Sequence, residues 1–432
     1  MAPTTTTRKR APAKGRRAAA RATPRTRPSP RSKGNAPPVG NALIGQSGGP
    51  TVVINQSLVG VIEAARRSSR IKKVFGARHG VQGILDDDLV DLTRETAANL
   101  EKVAGTPAAA LGSVRKKPTR EECLKMFQTF QKHDIRYLFY IGGNDSAETA
   151  NIILEIAREE DWPIRVFHVP KTIDNDLRVT DHCPGFGSAA KFVAQAFMGD
   201  NLDNRSLRGI KINVVMGRHA GFLTAAAALG RKHDDDGPHL VYVPEVTFDP
   251  ERFVADVKRV HGRLGRCLVA VSEGIHDAQG VTIAESMSKR AERDAHGNVQ
   301  LSGSGALGDH LAGLVKAALP GTRVRADTFG YLQRSFVGCT SVSDESEARR
   351  VGRDAVSYAM KHTSGTVVLK RKPGARYACV TDLAPLDKVA RLTKSMDRRF
   401  INKAGNDVTA AFLKYARPLA GPLPALGRLR GM

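Results

Sequence analysis

Residues 137–146 read YLFYIGGNDS, a short apolar run that stops abruptly at a glycine-rich polar turn. A segment with helical periodicity follows from Ala147 to Arg158. Continuous apolar runs of this kind are typical of strands buried on both faces, as in a parallel sheet covered by helices. The stretch therefore predicts one strand-turn-helix unit of an α/β fold.

Four more apolar runs end in the same way. They are Ala42–Gly45 before QSGGP at 46–50, Val166–Val169 before PKTIDND at 170–176, Ile212–Met216 before GRHAG at 217–221, and Cys267–Val271 before SEG at 272–274. Open parallel sheets bind ligands beyond the carboxyl ends of their strands, where all five turns fall. We expect an α/β fold with two doubly wound Rossmann-like lobes and the active site in the cleft between them.

The length and composition suit two ordinary domains with full cores, because the chain has 432 residues, of which 41% are hydrophobic and 25% charged. No run of 18 apolar residues and no secretory signal is present, so we expect a soluble, cytoplasmic protein without membrane partners. The five cysteines are scattered without a CxxC pair. This favours packing residues over a disulfide framework or a zinc site.

The positive charge is concentrated at the amino terminus. Residues 1–40 contain eleven Lys or Arg and no acidic residue, and the formal net charge falls from +24 to +13 when those eleven are left out. Such a segment has little to bury and repels itself, so we expect a basic disordered arm. A polyanion-binding arm, including one that binds nucleic acid, and an organelle-targeting peptide are the less favoured alternatives.

Five segments are predicted along the chain. They are the arm at 1–40, a first α/β lobe at 41–185, a second at 186–335, a C-terminal segment at 336–416 that packs back across both lobes, and a loose tail at 417–432. The polar stretch at 285–304 is expected to be an excursion or mobile loop.

The turn after the third run is the most specific chemical signal. Lys171, Thr172, Asp174 and Asp176 bring an ammonium, a hydroxyl and two carboxylates to the end of one strand. A carboxylate can take the proton of a sugar hydroxyl that attacks phosphorus, while a lysine offsets charge on the phosphoryl oxygens. Phosphoryl transfer needs little else from a protein beyond positioning and a metal ion. A solvated loop with Asx turns is the alternative.

The two glycine-rich turns are weaker signals. Ser47-Gly48-Gly49 suits an anion at a helix N-terminus, and equally a tight strand-to-helix turn. Asp145 in the GGNDS turn could hold a divalent cation, reject part of a ligand, or cap the helix from Ala147 to Arg158.

Taken together, the turns resemble the phosphofructokinase family, and the resemblance runs from about residue 41 to residue 335. Seven motifs carry it in order: Ser47-Gly48-Gly49, LGSVR at 111–115, GGNDS at 142–146, PKTIDND at 170–176, MGRHAG at 216–221, SEG at 272–274, and Arg325 followed by GYLQR at 330–334. The resemblance implies phosphoryl transfer to the 1-hydroxyl of fructose 6-phosphate, with the donor on the first lobe and the sugar phosphate on the second.

The resemblance also assigns the catalytic turn. Asp174 matches the base that deprotonates the sugar 1-hydroxyl, and Thr172 and Ile173 lie beside it in the substrate site. Asp176 supports the same loop. Arg218 matches the arginine that stabilises charge on the transferred group.

On the sugar side, the resemblance places Met216 and Gly217 along the sugar phosphate and Glu273 at the sugar hydroxyls. Tyr331 and Arg334 match residues that hold the 6-phosphate. Among the remaining matches, Arg325 resembles an arginine supplied by a neighbouring subunit, which implies a dimer or tetramer. The residues facing the phosphoryl donor are Gly48, Gly49, Arg115, Gly143 and Ser146.

Two departures from the ATP-using pattern point to the donor. ATP-using relatives read GGDGS in the second turn and have glycine where this chain has Lys171. Here Asp145 replaces the second-turn glycine and lies where the α-phosphate of ATP must go, a repulsion of about 4 kcal/mol at 4 Å and intermediate dielectric. Lys171 adds a cation that favours a pyrophosphate leaving group. The sequence therefore resembles the pyrophosphate-dependent branch of the family.

A third departure concerns the expected Mg²⁺, since Asn144 stands where many relatives have the metal-binding Asp. We expect Asn144, Asp145, pyrophosphate and water to coordinate the ion.

Leu58 and Ile62 occupy positions at which nucleotide-controlled relatives have effector-binding arginines. Control by ADP and phosphoenolpyruvate is therefore expected to be weak or absent.

Three other functions stay open on the sequence alone. One is an ATP-dependent 6-phosphofructokinase. The second is a basic nucleic-acid-binding protein with an inert kinase-like lobe, although intact Asp174, Arg218 and Arg334 weigh against it. The third is use of sedoheptulose 7-phosphate as a further acceptor.

Overall fold

The computed structural model describes residues 36–287 and 305–429. The predicted basic arm therefore lies almost wholly outside the described residues, as do residues 288–304 of the loop predicted at 285–304. The start of that loop is wrong, because residues 285–287 belong to a short helix, Ile283–Met287. From Pro37 onward, the chain forms one compact unit that carries two sheets. The described residues contain no helix of the length and apolar character that a membrane crossing requires.

The larger sheet has seven strands in the order β11-β10-β5-β4-β1-β2-β3. Its members are β1 Gly40–Gln46, β2 Ile71–Ala77, β3 Leu89–Asp91, β4 Ile135–Gly142, β5 Arg165–Pro170, β10 Ser364–Arg371 and β11 Cys379–Ala384. The five inner strands run parallel, while β3 and β11 pair antiparallel at the two edges. The strands predicted from the first three apolar runs are confirmed as β1, β4 and β5.

The smaller sheet has four parallel strands in the order β7-β8-β6-β9. They are β6 Ile210–Val215, β7 Leu240–Tyr242, β8 Cys267–Ser272 and β9 Val324–Thr328. The apolar runs predicted as strands at 212–216 and 267–271 are confirmed as β6 and β8. Every residue of both strands is buried, as expected of strands covered by helices on each face.

Helices cover both sheets. They are α1 Ile54–Arg66, α2 Val81–Leu85, α3 Ala97–Ala104, α4 Arg120–Lys132, α5 Asn144–Glu159, α6 Phe186–Ser206, α7 Phe222–Ala226, α8 Pro250–Leu264, α9 Ile283–Met287, α10 Ala306–Ala318, α11 Val342–Ala359 and α12 Ala410–Ala420. Helices α1 and α11 cross closely at two glycines. A Cβ on Gly60 would lie 2.2 Å from the Arg349 carbonyl oxygen, and one on Gly352 would lie 2.2 Å from that of Ser57. This crossing fastens the C-terminal part of the chain to the first lobe.

The C-terminal part of the chain packs with both sheets. Strands β10 and β11 extend the larger sheet, whereas Phe412, Ala416 and Leu419 of α12 share a buried core with α6 and the smaller sheet. The loose tail predicted from residue 417 is wrong at its start, because α12 continues to Ala420 with Leu419 buried. Further on, Arg428 forms an ion pair with Asp235, 2.7 Å between Nη2 and Oδ1.

The five cysteines are free and buried, which confirms that they are packing residues.

Candidate active site

A cavity of about 330 Å³ lies where the carboxyl ends of β1, β4 and β5 face those of β6 and β8. Turns from both sheets line it because parallel strands of one sheet end along a single edge. The predicted site residues in its lining are Gly48, Gly49, Arg115, Gly143, Asn144, Asp145, Ser146, Lys171, Thr172, Ile173, Asp174, Asp176, Met216, Arg218, Glu273, Tyr331 and Arg334. The structure thus gathers residues that are up to 286 positions apart in the sequence, from Gly48 to Arg334.

Two predicted site residues lie outside the lining. Gly217 stands behind it and donates its N–H to Glu273 Oε1 at 3.4 Å, with a φ of 143° that favours glycine. Arg325 lies on β9, where its Nη1 donates to the Val324 carbonyl oxygen at 3.0 Å. The structure does not bring Arg325 into the cavity of its own chain.

The first turn is shaped for close approach of the backbone. Gly48 has a φ of 76°, and a Cβ there would lie 3.2 Å from Lys171 Nζ. Its N–H donates to the Val114 carbonyl oxygen at 3.2 Å, and its own carbonyl oxygen accepts from Ser113 Oγ at 2.6 Å. The segment at 111–115 therefore holds the glycine turn in place, which explains why these two distant motifs belong to one site.

The second turn opens helix α5. The helix begins at Asn144 with Gly143 as its N-cap, so Asp145 is the second helical residue. The alternative in which Asp145 caps the helix is therefore wrong, because the helix starts three residues earlier than its apolar periodicity indicated. Asp145 is exposed to the cavity in the first turn, where the positive end of the helix favours a carboxylate.

Lys171 is a buried cation, with 2% of its surface exposed. Its Nζ donates to the Gly49 carbonyl oxygen at 2.7 Å, and its backbone N–H donates to that of Gly142 at 2.9 Å. Burial, followed by the neighbouring charge of Arg334, lowers the pKa of Lys171 to about 7. An anion bound beside it restores the protonated form, so this lysine couples ligand charge to proton uptake.

Asp174 and Asp176 face the cavity together. Burial raises the pKa of both carboxyls, that of Asp176 to about 7 with a further contribution from the charge of Asp174. Thr172 links them: its hydroxyl donates to Asp176 Oδ1 at 3.3 Å and accepts from the Asp174 N–H at 3.1 Å. Asp174 Oδ1 is out of solvent contact and has no hydrogen-bond partner among the described residues. A buried carboxylate oxygen of this kind is free to accept a proton.

Asn175 holds this turn in a strained backbone conformation. It is fully buried at a φ of 60°, its Nδ2 donates to Tyr415 Oη at 2.8 Å, and its Oδ1 accepts from the Cys183 N–H at 3.0 Å. Left-handed residues other than glycine persist only where surrounding contacts enforce them, and they cluster at functional sites.

The amide of Asn144 offers an oxygen toward a cation. Its Nδ2 donates to Asp176 Oδ2 at 3.1 Å, whereas its buried Oδ1 has no hydrogen-bond partner within residues 36–287 and 305–429. Oxygen donors from Asn144, Asp145 and Asp176 suit a hard divalent cation such as Mg²⁺.

The opposite side of the cavity, where the resemblance places the sugar phosphate, carries an arginine stacked on an aromatic ring. Arg334 Cζ lies 4.6 Å from the centroid of the Tyr331 ring, a cation–π contact, and a Cβ on Gly49 would lie 3.2 Å from the same atom. Gln333 lies between Tyr331 and Arg334 in the sequence, and its Oε1 accepts from the Met216 N–H at 3.4 Å. Buried Gln333 therefore ties the short 3-10 helix that carries Arg334 to the end of β6.

Sequence reasoning missed two lining residues, Arg391 and Thr393. They lie on an irregular segment between β11 and α12 that contains no glycine-rich turn or apolar run. His219, from the turn at 217–221, also lines the cavity.

Comparison with known proteins identifies the family of this chain. A family model described as phosphofructokinase matches residues 41–359. The chain belongs to the phosphofructokinase family. This confirms the resemblance drawn from the seven motifs.

Three members of the family are notably similar. A pyrophosphate--fructose 6-phosphate 1-phosphotransferase of Rhodospirillum rubrum is 56% identical over 393 residues, covering 90% of this chain and 97% of that protein. One of Xanthomonas campestris is 40% identical over 390 residues, covering 88% and 91%. The crystal structure of a pyrophosphate-dependent phosphofructokinase from Marinobacter aquaeolei aligns with a TM-score of 0.79 at 33% identity, covering 91% of this chain and 95% of that one. The predicted α/β fold with two lobes is confirmed by this match.

Proposed function

We propose that this protein is a pyrophosphate-dependent 6-phosphofructokinase. It transfers a phosphoryl group reversibly from pyrophosphate to the 1-hydroxyl of fructose 6-phosphate, giving fructose 1,6-bisphosphate and phosphate. The observation that carries the proposal is the pair formed by Asp145 and Lys171, which line one cavity from adjacent strand ends. The names of the relatives from R. rubrum and X. campestris support the same donor.

The charge of this pair selects the donor. A carboxylate at Asp145 repels the inner phosphate of a nucleotide by about 1–4 kcal/mol at 4 Å, depending on how much water remains. Lys171 takes up a proton when a compact anion binds, because the anion offsets the burial that lowers its pKa. Glycine in place of Asp145 removes the repulsion of the nucleotide, and glycine in place of Lys171 removes the attraction for pyrophosphate.

Catalysis on this geometry uses Asp174 as the general base. Its carboxylate takes the proton of the sugar 1-hydroxyl as that oxygen bonds to the terminal phosphorus of pyrophosphate, and the bridging P–O bond breaks to release phosphate. Arg218 and Lys171 offset the charge of the phosphoryl oxygens in the transition state. The raised pKa of Asp174 makes the carboxylate a stronger base than an exposed one.

Mg²⁺ is the proposed cofactor, held by Asn144, with Asp145 and Asp176 beside it. When bound, it neutralises charge on the phosphate oxygens. The remaining site assignments also follow from the family resemblance: Gly48, Gly49, Arg115, Gly143 and Ser146 for the donor, with the sugar phosphate on the opposite side.

A homo-oligomer is part of the proposal, since Arg325 lies outside its own cavity and matches an arginine supplied by a neighbouring subunit. A cytoplasmic location, weak control by ADP and use of sedoheptulose 7-phosphate stay predictions, as does the segment division at 41–185, 186–335 and 336–416.

A donor assay tests the function. Purified protein is given fructose 6-phosphate and Mg²⁺ with pyrophosphate or ATP as the only donor, and fructose 1,6-bisphosphate is measured. We expect kcat/KM with pyrophosphate to exceed that with ATP by about five-fold to a thousand-fold, the range that a repulsion of about 1–4 kcal/mol corresponds to. A preference for ATP would overturn the proposal, and turnover of neither donor together with salt-sensitive nucleic-acid binding would favour the inert-lobe alternative.

A further inference from the structure

The segment around Arg391 reaches the cavity from the C-terminal part of the chain. Arg391 and Thr393 line the cavity, and Thr393 forms an antiparallel bridge with Leu177. Next to it, the Lys394 N–H donates to the Asp176 carbonyl oxygen at 2.7 Å. These contacts fix the segment to the turn that carries the proposed base, so Arg391 has a defined place beside it. Arg391 lies beyond the residues 41–359 that the family model matches.

Arg391 is held at one nitrogen only. Its Nε pairs with a carboxylate oxygen of Glu148, a buried side chain one turn after Asp145 on α5. Across the part of the chain that the structure describes, neither terminal nitrogen of its guanidinium has a partner. The side chain is 70% exposed, and its backbone adopts a φ of 63°. A strained backbone thus presents a guanidinium with two free amino groups at the rim of an anion site.

Glu148 does not depend on Arg391 for its charge balance. Lys117 Nζ lies 2.7 Å from Glu148 Oε1 as well. When Arg391 turns toward an anion, Glu148 keeps a cationic partner, so no buried carboxylate is left uncompensated. The arrangement therefore permits exchange of Arg391 between a resting contact with Glu148 and a ligand.

We infer that Arg391 is a further donor-binding residue, whose terminal amino groups bind oxygens of pyrophosphate as a two-pronged clamp. A guanidinium matches the geometry of two phosphate oxygens, which an ammonium does not. Arg391 lines the cavity and contacts Glu148 on α5, the helix that carries Asp145 in its first turn, so it lies on the donor side. The inference rests on the proposed function, because it names a further contact for the same donor.

The test measures the dissociation constant and KM of pyrophosphate in Arg391→Gln and Arg391→Lys proteins. We expect Arg391→Gln to raise both for pyrophosphate on the order of ten-fold, the value of one charge-assisted contact, while KM for fructose 6-phosphate changes less than about two-fold. Arg391→Lys should recover only part of the loss, because it keeps the charge but not the fork.

Arg399→Gln is the matched control. Arg399 is also 70% exposed and also pairs through Nε with a carboxylate, that of Asp397 at 3.3 Å, but it lies outside the cavity lining. The dissociation constant and KM of pyrophosphate for Arg399→Gln should stay at the wild-type values. Calorimetric binding of fructose 6-phosphate alone verifies that each variant is folded.

Unchanged pyrophosphate constants in Arg391→Gln, or equal losses in Arg391→Gln and Arg399→Gln, would overturn the inference. A loss in KM for fructose 6-phosphate as large as that for pyrophosphate would do the same, because it would indicate general damage to the cavity. Failure of the proposed function looks different, since wild-type protein would then not turn over pyrophosphate at all.

Discussion

The two sides of the cavity differ in how they hold charge. On the donor side, Lys171 is 2% exposed and bonded to the glycine turn, and the paired carboxyls Asp174 and Asp176 are fixed through Thr172. On the sugar side, Glu273 is also buried, at 5% exposed, but Tyr331 is 45% exposed and Arg334 beside it is only partly buried. Buried charges act through a lower dielectric and cannot be replaced by water. Donor selection and chemistry should therefore be more sensitive to substitution than sugar binding.

The largest effect should come from Asp174→Asn, which removes the base while keeping the shape of the side chain. We expect kcat to fall about a thousand-fold, within the range for loss of a general base. The affinity for fructose 6-phosphate, measured by calorimetry, should stay within a few-fold. A kcat within ten-fold of the wild type would contradict the assignment of the base and erase the contrast between the two sides.

The next effect concerns donor choice. Replacing both Asp145 and Lys171 by glycine should lower kcat/KM for pyrophosphate about a hundred-fold and raise that for ATP, because the repulsive carboxylate and the favourable cation are both lost. Separate initial-rate assays with each donor measure the ratio.

Asp145→Asn is the matched control for this double change, since it removes the charge without placing a second glycine in the first turn of α5. It should by itself improve use of ATP. An unchanged ratio in both variants would refute the electrostatic account of donor selection.

On the sugar side the expected effect is smaller. Glu273→Gln should raise KM for fructose 6-phosphate about ten-fold, the difference between a charged and a neutral hydrogen-bond acceptor. KM for pyrophosphate should stay within about two-fold, as measured in the same assay. Equal changes in both constants would show that Glu273, which accepts from the Gly217 N–H, acts on the shape of the cavity and not on the sugar.

The smallest effect is a pH dependence, with opposite signs for two groups. Asp174 must be ionised, and burial raises its pKa, so kcat is lost as pH falls through that raised pKa, at a higher pH than for an exposed carboxyl. Lys171 must be protonated, and its pKa of about 7 in the free protein means that pyrophosphate affinity declines about five-fold between pH 7 and 8.

Calorimetry in two buffers of different ionisation enthalpy would detect the proton taken up by Lys171. Lys171→Arg stays charged throughout this range and should lose that uptake while keeping the low-pH limb of kcat. Any pH dependence that arises from ionisation of pyrophosphate itself should persist in Lys171→Arg. Identical proton uptake in both proteins would show that Lys171 does not take up the proton when pyrophosphate binds, and would contradict its contact with the donor.

The sequence by itself determined the fold class and nearly all of the cavity lining. Turns that follow buried parallel strands must meet at one edge, so the sequence alone places GGNDS at 142–146 and PKTIDND at 170–176 together. Set against the pattern of ATP-using relatives that the resemblance supplies, Asp145 and Lys171 indicated the donor, because electrostatic repulsion depends on charge at a position and not on fine packing.

Only the tertiary structure decided the rest. α5 starts at Asn144, and not at Ala147, directly after a turn whose Gly142 carbonyl oxygen accepts from the Lys171 N–H at 2.9 Å, a long-range contact that periodicity does not report. Arg391 reaches the cavity through a left-handed backbone, its own contact with Glu148 and the bridge between Thr393 and Leu177, and both partners are more than 200 positions away. Such placement follows from long-range packing of an irregular segment, and local sequence patterns carry no record of it.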